Sequence, residues 1–286
     1  MQPLLDGDIL RYEIGFCGEY KEIDPETGEE VVKIREWQFV QSLLDNKIKS
    51  ICDEVGADKD PIVFLTASSY LCDVLNRMRK YSELTDVHMV VPFREEIATL
   101  RPYKGTRKGA KPFHFDNITA YLLANYNCDI AFGIEADDRM AQLQSDDTII
   151  CSRDKDLRMV PGWHYGWECG LQPSFGPELV DAKGWLKLDR KGDVKGAGLK
   201  FFFYQMLVGD TVDNIPGCAK IGPKKAMALL EPFTTKREYE LVVIGAYKKA
   251  YGDEWKAILE EQSKLLWMIR EMSEDGSPKH YEWRYE

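Results

Sequence analysis

Apolar residues along the 286-residue chain follow two rhythms. Short unbroken runs bounded by charged or turn residues predict buried strands, and runs recurring every three or four positions predict amphipathic helices. Leu4-Leu5-Asp6-Gly7-Asp8-Ile9 reads as a strand with an acid at its tip and a glycine leaving room beside it. Residues 61–66 read as a second strand and residues 147–152 as a third, which delivers Arg153-Asp154-Lys155-Asp156 at its carboxyl end. Residues 18–34 read as a polar hairpin around Asp24-Pro25-Glu26-Thr27-Gly28. Residues 36–55 read as a helix with Phe39, Leu43, Leu44 and Ile48 inward. Another helix opens at Gly133-Ile134-Glu135-Ala136-Asp137-Asp138 and continues through apolar Met140, Ala141 and Leu143. The glycine-rich residues 162–198 read as loops and a hairpin, with Trp163, Tyr165 and Trp167 packing under them. Two helices follow Phe233, at about 236–251 and 253–272, with Trp255, Ile258, Leu259, Leu265, Leu266 and Ile269 on one apolar face. The mixture predicts an α/β fold with no internal repeat.

Candidate chemistry gathers where these elements end. Glu135 and Asp138 fall one turn apart on one helix face, with Asp137 in the same turn. Asp154 and Asp156 share a side in extended chain, and open α/β sheets place ligand sites at strand carboxyl ends. In Gly209-Asp210-Thr211-Val212-Asp213-Asn214-Ile215-Pro216-Gly217 two acids sit three apart, as a shared divalent cation requires. Each cluster alone reads more readily as solvated surface charge; four at strand ends and helix starts point to a metal site. The chain then runs through Lys220-Ile221-Gly222 to Pro223, suited to a first helical position, with Lys224 and Lys225 in the first turn. Free amides, glycines and lysines there make an anion cradle. Between Arg101 and Lys111 lie Lys104, Arg107 and Lys108 without an intervening acid. The four histidines are scattered, and no Ser-His-Asp arrangement stands out.

In this order, Leu-Asp-Gly-Asp, Tyr103-Lys104-Gly105-Thr106-Arg107, Glu135-Ala136-Asp137-Asp138, Ser152-Arg153-Asp154-Lys155-Asp156 and Gly209 to Gly217, the motifs resemble those of the bacteriophage-type 5′-to-3′ exonuclease and flap endonuclease family. The resemblance spans about residues 4–230. It implies a PIN-like core, residues 1–198, with a mostly parallel central sheet flanked by helices and an arch or clamp at about 68–115. Residues 199–286 would form a helix-hairpin-helix region with C-terminal helices. It further implies two Mg²⁺ ions, with Mn²⁺ as substitute. Asp6, Glu135, Asp137 and Asp138 would serve mainly one ion and Asp154, Asp156, Asp210 and Asp213 mainly the other, with Asp138 or Asp154 touching both. Lys104 and Arg107 would grip the scissile phosphate. Tyr103 would either stack on a terminal base or anchor the arch by packing. Lys108, Lys111, Gly217, Lys220, Gly222, Lys224 and Lys225 would contact DNA, and K⁺ is a candidate ion at the hairpin. The substrates implied are duplex or branched DNA with a 5′ end and RNA–DNA hybrids, with replication proteins as candidate partners. One position departs from the pattern. The strand at 61–66 continues into Ala67-Ser68-Ser69 where the family carries a further acid. Asp73 or a water is the candidate replacement; failing both, the chain would bind branched DNA without cutting it. A third reading, a structural subunit of a replication complex, would require the acids to be incidental.

A net charge of -10 argues against nucleic acid only until the acids of the site are set against bound cations. Seven cysteines, odd in number and without a Cys-x-x-Cys pair, predict neither zinc nor a disulfide framework. No 18-residue apolar run and no basic-then-apolar start occurs, so a cytoplasmic protein without a membrane span is expected. Nothing in the residues sets the oligomeric state, and a monomer is the simpler expectation.

Overall fold

The computed structural model describes residues 1–78, 86–106 and 109–286. In its first half, β1 (Gln2–Asp6) leads into α1 (Gly7–Cys17), a hairpin of β2 (Glu19–Ile23) and β3 (Glu30–Ile34), α2 (Trp37–Glu54), β4 (Ile62–Thr66), α3 (Ser69–Met78) and α4 (Phe93–Ile97). There follow α5 (Phe115–Asn125), β5 (Asn127–Ala131), α6 (Ala136–Leu143), β6 (Thr148–Cys151), β7 (Gly162–Gly166), β8 (Phe175–Val180) and a second hairpin of β9 (Trp185–Leu188) and β10 (Val194–Ala197). The chain continues through α7 (Gly198–Val208), α8 (Pro223–Leu230), α9 (Lys236–Tyr251) and α10 (Trp255–Leu266).

The central sheet runs β5-β4-β1-β6-β7-β8. All neighbours pair parallel except β8, which lies antiparallel to β7. Alternation along each strand assigns its side chains to two cores. Leu5, Val63, Leu65, Ile149 and Cys151 pack with α1, α2 and α5, while Leu4, Phe64 and Ile150 pack with α6, α7, α9 and α10. The second core includes side chains on both sides of the expected boundary at residue 198. Parallel pairing also puts the carboxyl ends of β1, β4, β5 and β6 at one edge, which is where the acidic motifs emerge.

Several expectations shift in detail. On α2 the inward face is Val40, Leu44, Ile48 and Ile51; Phe39 is exposed under the Arg35 guanidinium. Residues 162–166 are not a loop but β7, an inner strand of the sheet, and Tyr165 and Trp167 are buried in the core. α7, Gly-Leu-Lys-Phe-Phe-Phe-Tyr-Gln-Met-Leu-Val, is buried on nearly every side, so it has no polar face to reveal a helical period. α10 ends at Leu266 rather than near 272. At its end Leu265 O, and beyond it Trp267 O, accept from Arg94, and Ile269 N–H donates to Asp138, so the backbone bonds to a buried ion pair instead of extending the helix. No described helix is long and apolar enough to cross a membrane.

Candidate active site

Asp6 ends β1 and caps α1, accepting from Ile9 N–H at 2.9 Å. Its second oxygen accepts from Ser152 Oγ at 2.6 Å, just past β6. Ser152 Oγ in turn accepts from Asp154 N–H at 2.9 Å, and Asp154 Oδ1 accepts from Asp156 N–H at 2.8 Å. Lys155 bridges Asp156 and Asp210 through its ammonium. Asp210 Oδ1 accepts Val212 N–H at 2.8 Å and Asp213 N–H at 3.4 Å. Asp213 Oδ2 and Glu135 Oε2 lie 3.2 and 2.8 Å from the same Tyr103 hydroxyl. A nearly continuous polar chain therefore joins acids from residues 6, 135, 154, 156, 210 and 213, which the sequence scatters over two hundred positions.

Residues 93–104 hold the other side. Arg94 grips Asp138 through both terminal nitrogens, reaches Glu135 at 3.4 Å and donates to Leu265 O and Trp267 O. Thr99 and Leu100 N–H groups donate to Glu261, and Asn214 donates to Pro102 O. These ties set Lys104 against Glu135, and its backbone N–H donates to Asp213 O.

Asp138 is therefore a correction. It is fully buried, its carboxylate is spent on Arg94, Ile269 N–H and Glu135 N–H, and it does not line the cleft. A cluster reading by sequence spacing cannot separate it from Asp137, its neighbour, which does line the cleft. For Tyr103 the structure takes the packing alternative of the two expected. Its ring packs beside the helical core and its hydroxyl braces two acids, so it anchors the segment and is not a free stacking platform. Asp73 is exposed on α3 and does not join the acids. Asp8 stands nearer Ala67, both its oxygens accepting Thr66 N–H at 3.2 and 3.3 Å while Arg11 pairs with it. Arg107 and Lys108 lie outside the described residues, and so does part of the segment expected to form the arch.

The cleft divides in two. One lobe of about 570 Å³ is lined by Asp6, Asp8, Ala67, Lys104, Lys111, Glu135, Asp137 and Asp154. A second groove of about 990 Å³ is lined by Asp154, Asp156, Asp210 and Asp213 with Arg153 and Lys155. Asp154 belongs to both, as the junction between the two expected sets of acids.

Electrostatics sort the acids further. Burial, then the charge of Asp8, pushes Asp6 up to about 7. Burial followed by Asp6 and Asp154 raises Asp137 far above the carboxylate range, and burial likewise raises Asp154. Asp156 is pushed up to about 7 by burial and then Asp154. Burial opposes ionisation of Glu135 and Asp210 too, but Lys104 and Lys155 respectively outweigh it and hold them low. Buried acids that raise one another's pKa are short of positive charge. Among the described residues no three Asp, Glu, His or Cys side chains form a ready-made ligand cage. The donors are nevertheless all hard oxygens converging on one cleft, which fits a magnesium-type cation rather than zinc or copper. Sequence reasoning missed Arg94, Ser152 and Gln205, whose amide holds Asp156. Only Ser152 lay inside a motif.

Beyond the acids, Gly209 and Gly217 face each other at φ 75° and 61°. A Cβ on Gly217 would fall 2.2 Å from Gly209 N. Gly217 N–H donates to Gln262 at 2.9 Å and its carbonyl accepts from Tyr251. A second correction follows: Gly217 is buried and shapes the loop, its N–H and carbonyl both bonded within the protein, so it is not an open contact for DNA. Gly222, Lys224 and Lys225 are exposed around the start of α8, where Pro223 takes the first helical position as expected, and Lys220 is exposed just ahead at φ 66°.

No family model matches the chain. It is similar to DNA polymerase I of Bacillus caldotenax, 26% identical over 223 residues, covering 70% of this chain and 23% of that protein. It is also similar to DNA polymerase I of Chloroflexus aurantiacus, 29% identical over 165 residues (55% and 16% covered), and of Rhizobium leguminosarum, 30% identical over 191 residues (58% and 18% covered). The chain thus spans less than a quarter of the length of these relatives. Among solved structures it is similar in outline to a bacteriophage T5 protein co-crystallised with metal ions, with a TM-score of 0.44, 17% identity, and 93% and 85% of the two chains covered. A bacteriophage T5 flap endonuclease complex with DNA and metal ions gives a TM-score of 0.41 at 15% identity, covering 93% and 98%. The order of the motifs and the relatives found by sequence fit the bacteriophage-type 5′-to-3′ exonuclease and flap endonuclease family.

Proposed function

We propose that this chain is a divalent-metal-dependent 5′-to-3′ nuclease of duplex DNA, with 5′ flaps and RNA–DNA hybrids as further substrates. The observation that carries the reading is the polar chain from Asp6 through Ser152, Asp154, Lys155 and Asp210 to Asp213 and Glu135. It gathers buried acids short of positive charge in an open cleft, beside a lysine.

Asp6, Glu135, Asp137 and Asp154 would hold one cation, and Asp154, Asp210 and Asp213 a second, with Asp156 set behind them. Bound there, magnesium would lower the pKa of a water and offset charge on both oxygens of a phosphodiester displacement. The chain's own residues do the rest. Ser152 and the start of α1 fix Asp6, and Lys155 fixes Asp210. Tyr103, Arg94 and Lys104 fix Glu135, and Lys104, which lines the cleft, would also meet a phosphate oxygen as it gains charge. Lys220, Gly222, Lys224 and Lys225 would hold duplex backbone without reading bases.

The reading is tested by incubating 5′-labelled duplex and flapped DNA with magnesium or with EDTA, beside Asp137→Asn. Metal-dependent release of short 5′ products, lost in the variant, is expected. Ala67 favours a second reading, in which the chain binds branched DNA without cleaving it. Tight binding with no products in magnesium or manganese would favour that one.

A further inference from the structure

The β9–β10 hairpin lies beyond the acids and belongs to none of the motifs. Its register pairs Lys187 directly with Lys195, flanked by Trp185 with Ala197 and Leu188 with Val194. Leu186 and Val194 pack against the helical core, so the lysines stand on the opposite face. Like charges directly across a hairpin destabilise it. Nothing in the fold requires two lysines there. Lys187 sits 4.2 Å over the Trp185 ring, and Lys195 reaches Asp189 at 3.4 Å, a half-exposed contact of little energetic weight. The Asp189 carboxylate is already occupied by the turn, accepting Lys191 and Asp193 N–H groups at 2.9 Å each. Residues 183–200 carry six Lys or Arg against two Asp in a chain of net charge -10, so the excess is local.

Position gives this surface its use. Lys195 lines the 990 Å³ groove that holds Asp154, Asp210 and Asp213. It also lines an adjoining groove of about 380 Å³ that ends at Gly222 and Pro223, where α8 begins. The hairpin therefore spans the interval between the acidic cleft and the exposed start of α8. We infer that the Lys187–Lys195 face of this hairpin binds the sugar-phosphate backbone of a DNA duplex between those two points, a phosphate relieving the repulsion between the paired lysines. The inference rests on the nuclease reading and adds a third contact to it.

The test is the Lys187→Ala/Lys195→Ala double variant of the full chain, measured by fluorescence anisotropy on a labelled duplex of about 20 base pairs in EDTA. Without metal the acids repel DNA, so binding depends on the basic surfaces. The expected result is roughly tenfold weaker binding at 0.1 M salt. The slope of log affinity against log salt should be smaller by about 2, since each phosphate contact contributes about 0.9. The melting temperature without DNA should be unchanged or higher, because repulsion has been removed. Unaltered affinity and slope, in a wild-type protein that cleaves DNA, would overturn the inference and leave the nuclease reading standing. A fall in affinity matched by a fall in melting temperature would mean a structural role and also overturn it. A wild-type protein that neither binds nor cleaves DNA would overturn both.

Discussion

Asp137 and Asp138 are adjacent, both acidic and both in the first turn of α6, yet the fold gives them opposite surroundings. Asp138 meets a guanidinium and two backbone N–H groups, and every demand of its charge is met. Asp137 meets Asp6 and Asp154, and its charge is opposed. The Arg94–Asp138 pair stitches α4, α6 and the segment after α10 together; the Asp6–Asp137–Asp154 group opens onto a cleft. A satisfied buried acid maintains structure, and an unsatisfied one stores the electrostatic cost that a ligand can relieve.

The comparison breaks most visibly in activity. Asp137→Asn and Asp154→Asn are expected to reduce phosphodiester cleavage at least about a thousandfold, the scale of losing a principal transition-state contact, while raising the melting temperature in EDTA because repulsion falls. Single-turnover cleavage and thermal melts measure the two together. A variant that lost activity through lost stability would contradict the assignment.

Asp138→Ala tests the other member of the pair. It leaves Arg94 buried without its partner, which should cost about 3–5 kcal/mol of unfolding free energy by urea titration. If Asp138→Ala proves as stable as wild type but inactive, Asp138 belongs with the metal ligands after all.

A third test follows from acid–base linkage. His164 is buried against Val160 O, and burial lowers its pKa from 6.5 to about 4. The unfolded chain binds the proton more tightly, so stability is lost as pH falls from about 6.5 to 4, by about 3 kcal/mol at most. Asp6 and Asp156 shift the other way, from 3.8 to about 7. Their folded forms hold protons that the unfolded chain releases, so in EDTA they lose stability as pH rises from about 4 to 7. The two contributions oppose each other over the same interval, so His164→Gln should make stability fall more steeply as pH rises from about 4 to 7, as read from urea midpoints between pH 4 and 8.

The smallest expected effect is on ligand-linked stability. Magnesium at a hundredfold over its dissociation constant should add about 2.7 kcal/mol to wild type, and clearly less to Asp137→Asn. Equal gains in both proteins would separate magnesium binding from the cleft.

Much of this was legible in the order of residues. The strands at β1, β4 and β6 are short apolar runs, β1 and β6 with acids at or just beyond their ends, and Pro223 marks the start of α8. Those signals are local: a buried strand needs continuous apolar residues, and a helix start needs a residue that tolerates free amides. α7 was illegible because a helix buried all round has no period, and β7 because its glycines and aromatics resemble a loop.

The sequence by itself determined which segments carry acids, where the sheet's carboxyl edge would lie, and that a basic stretch precedes the acidic helix. Only the tertiary structure decided that Asp137 faces the cleft while Asp138 faces Arg94, that Tyr103 braces Glu135, and that Gly217 closes onto Gly209. Those outcomes depend on groups distant in the chain becoming neighbours. A carboxylate's role is set by which charges and amides surround it, and spacing along a helix fixes its direction only to within a turn.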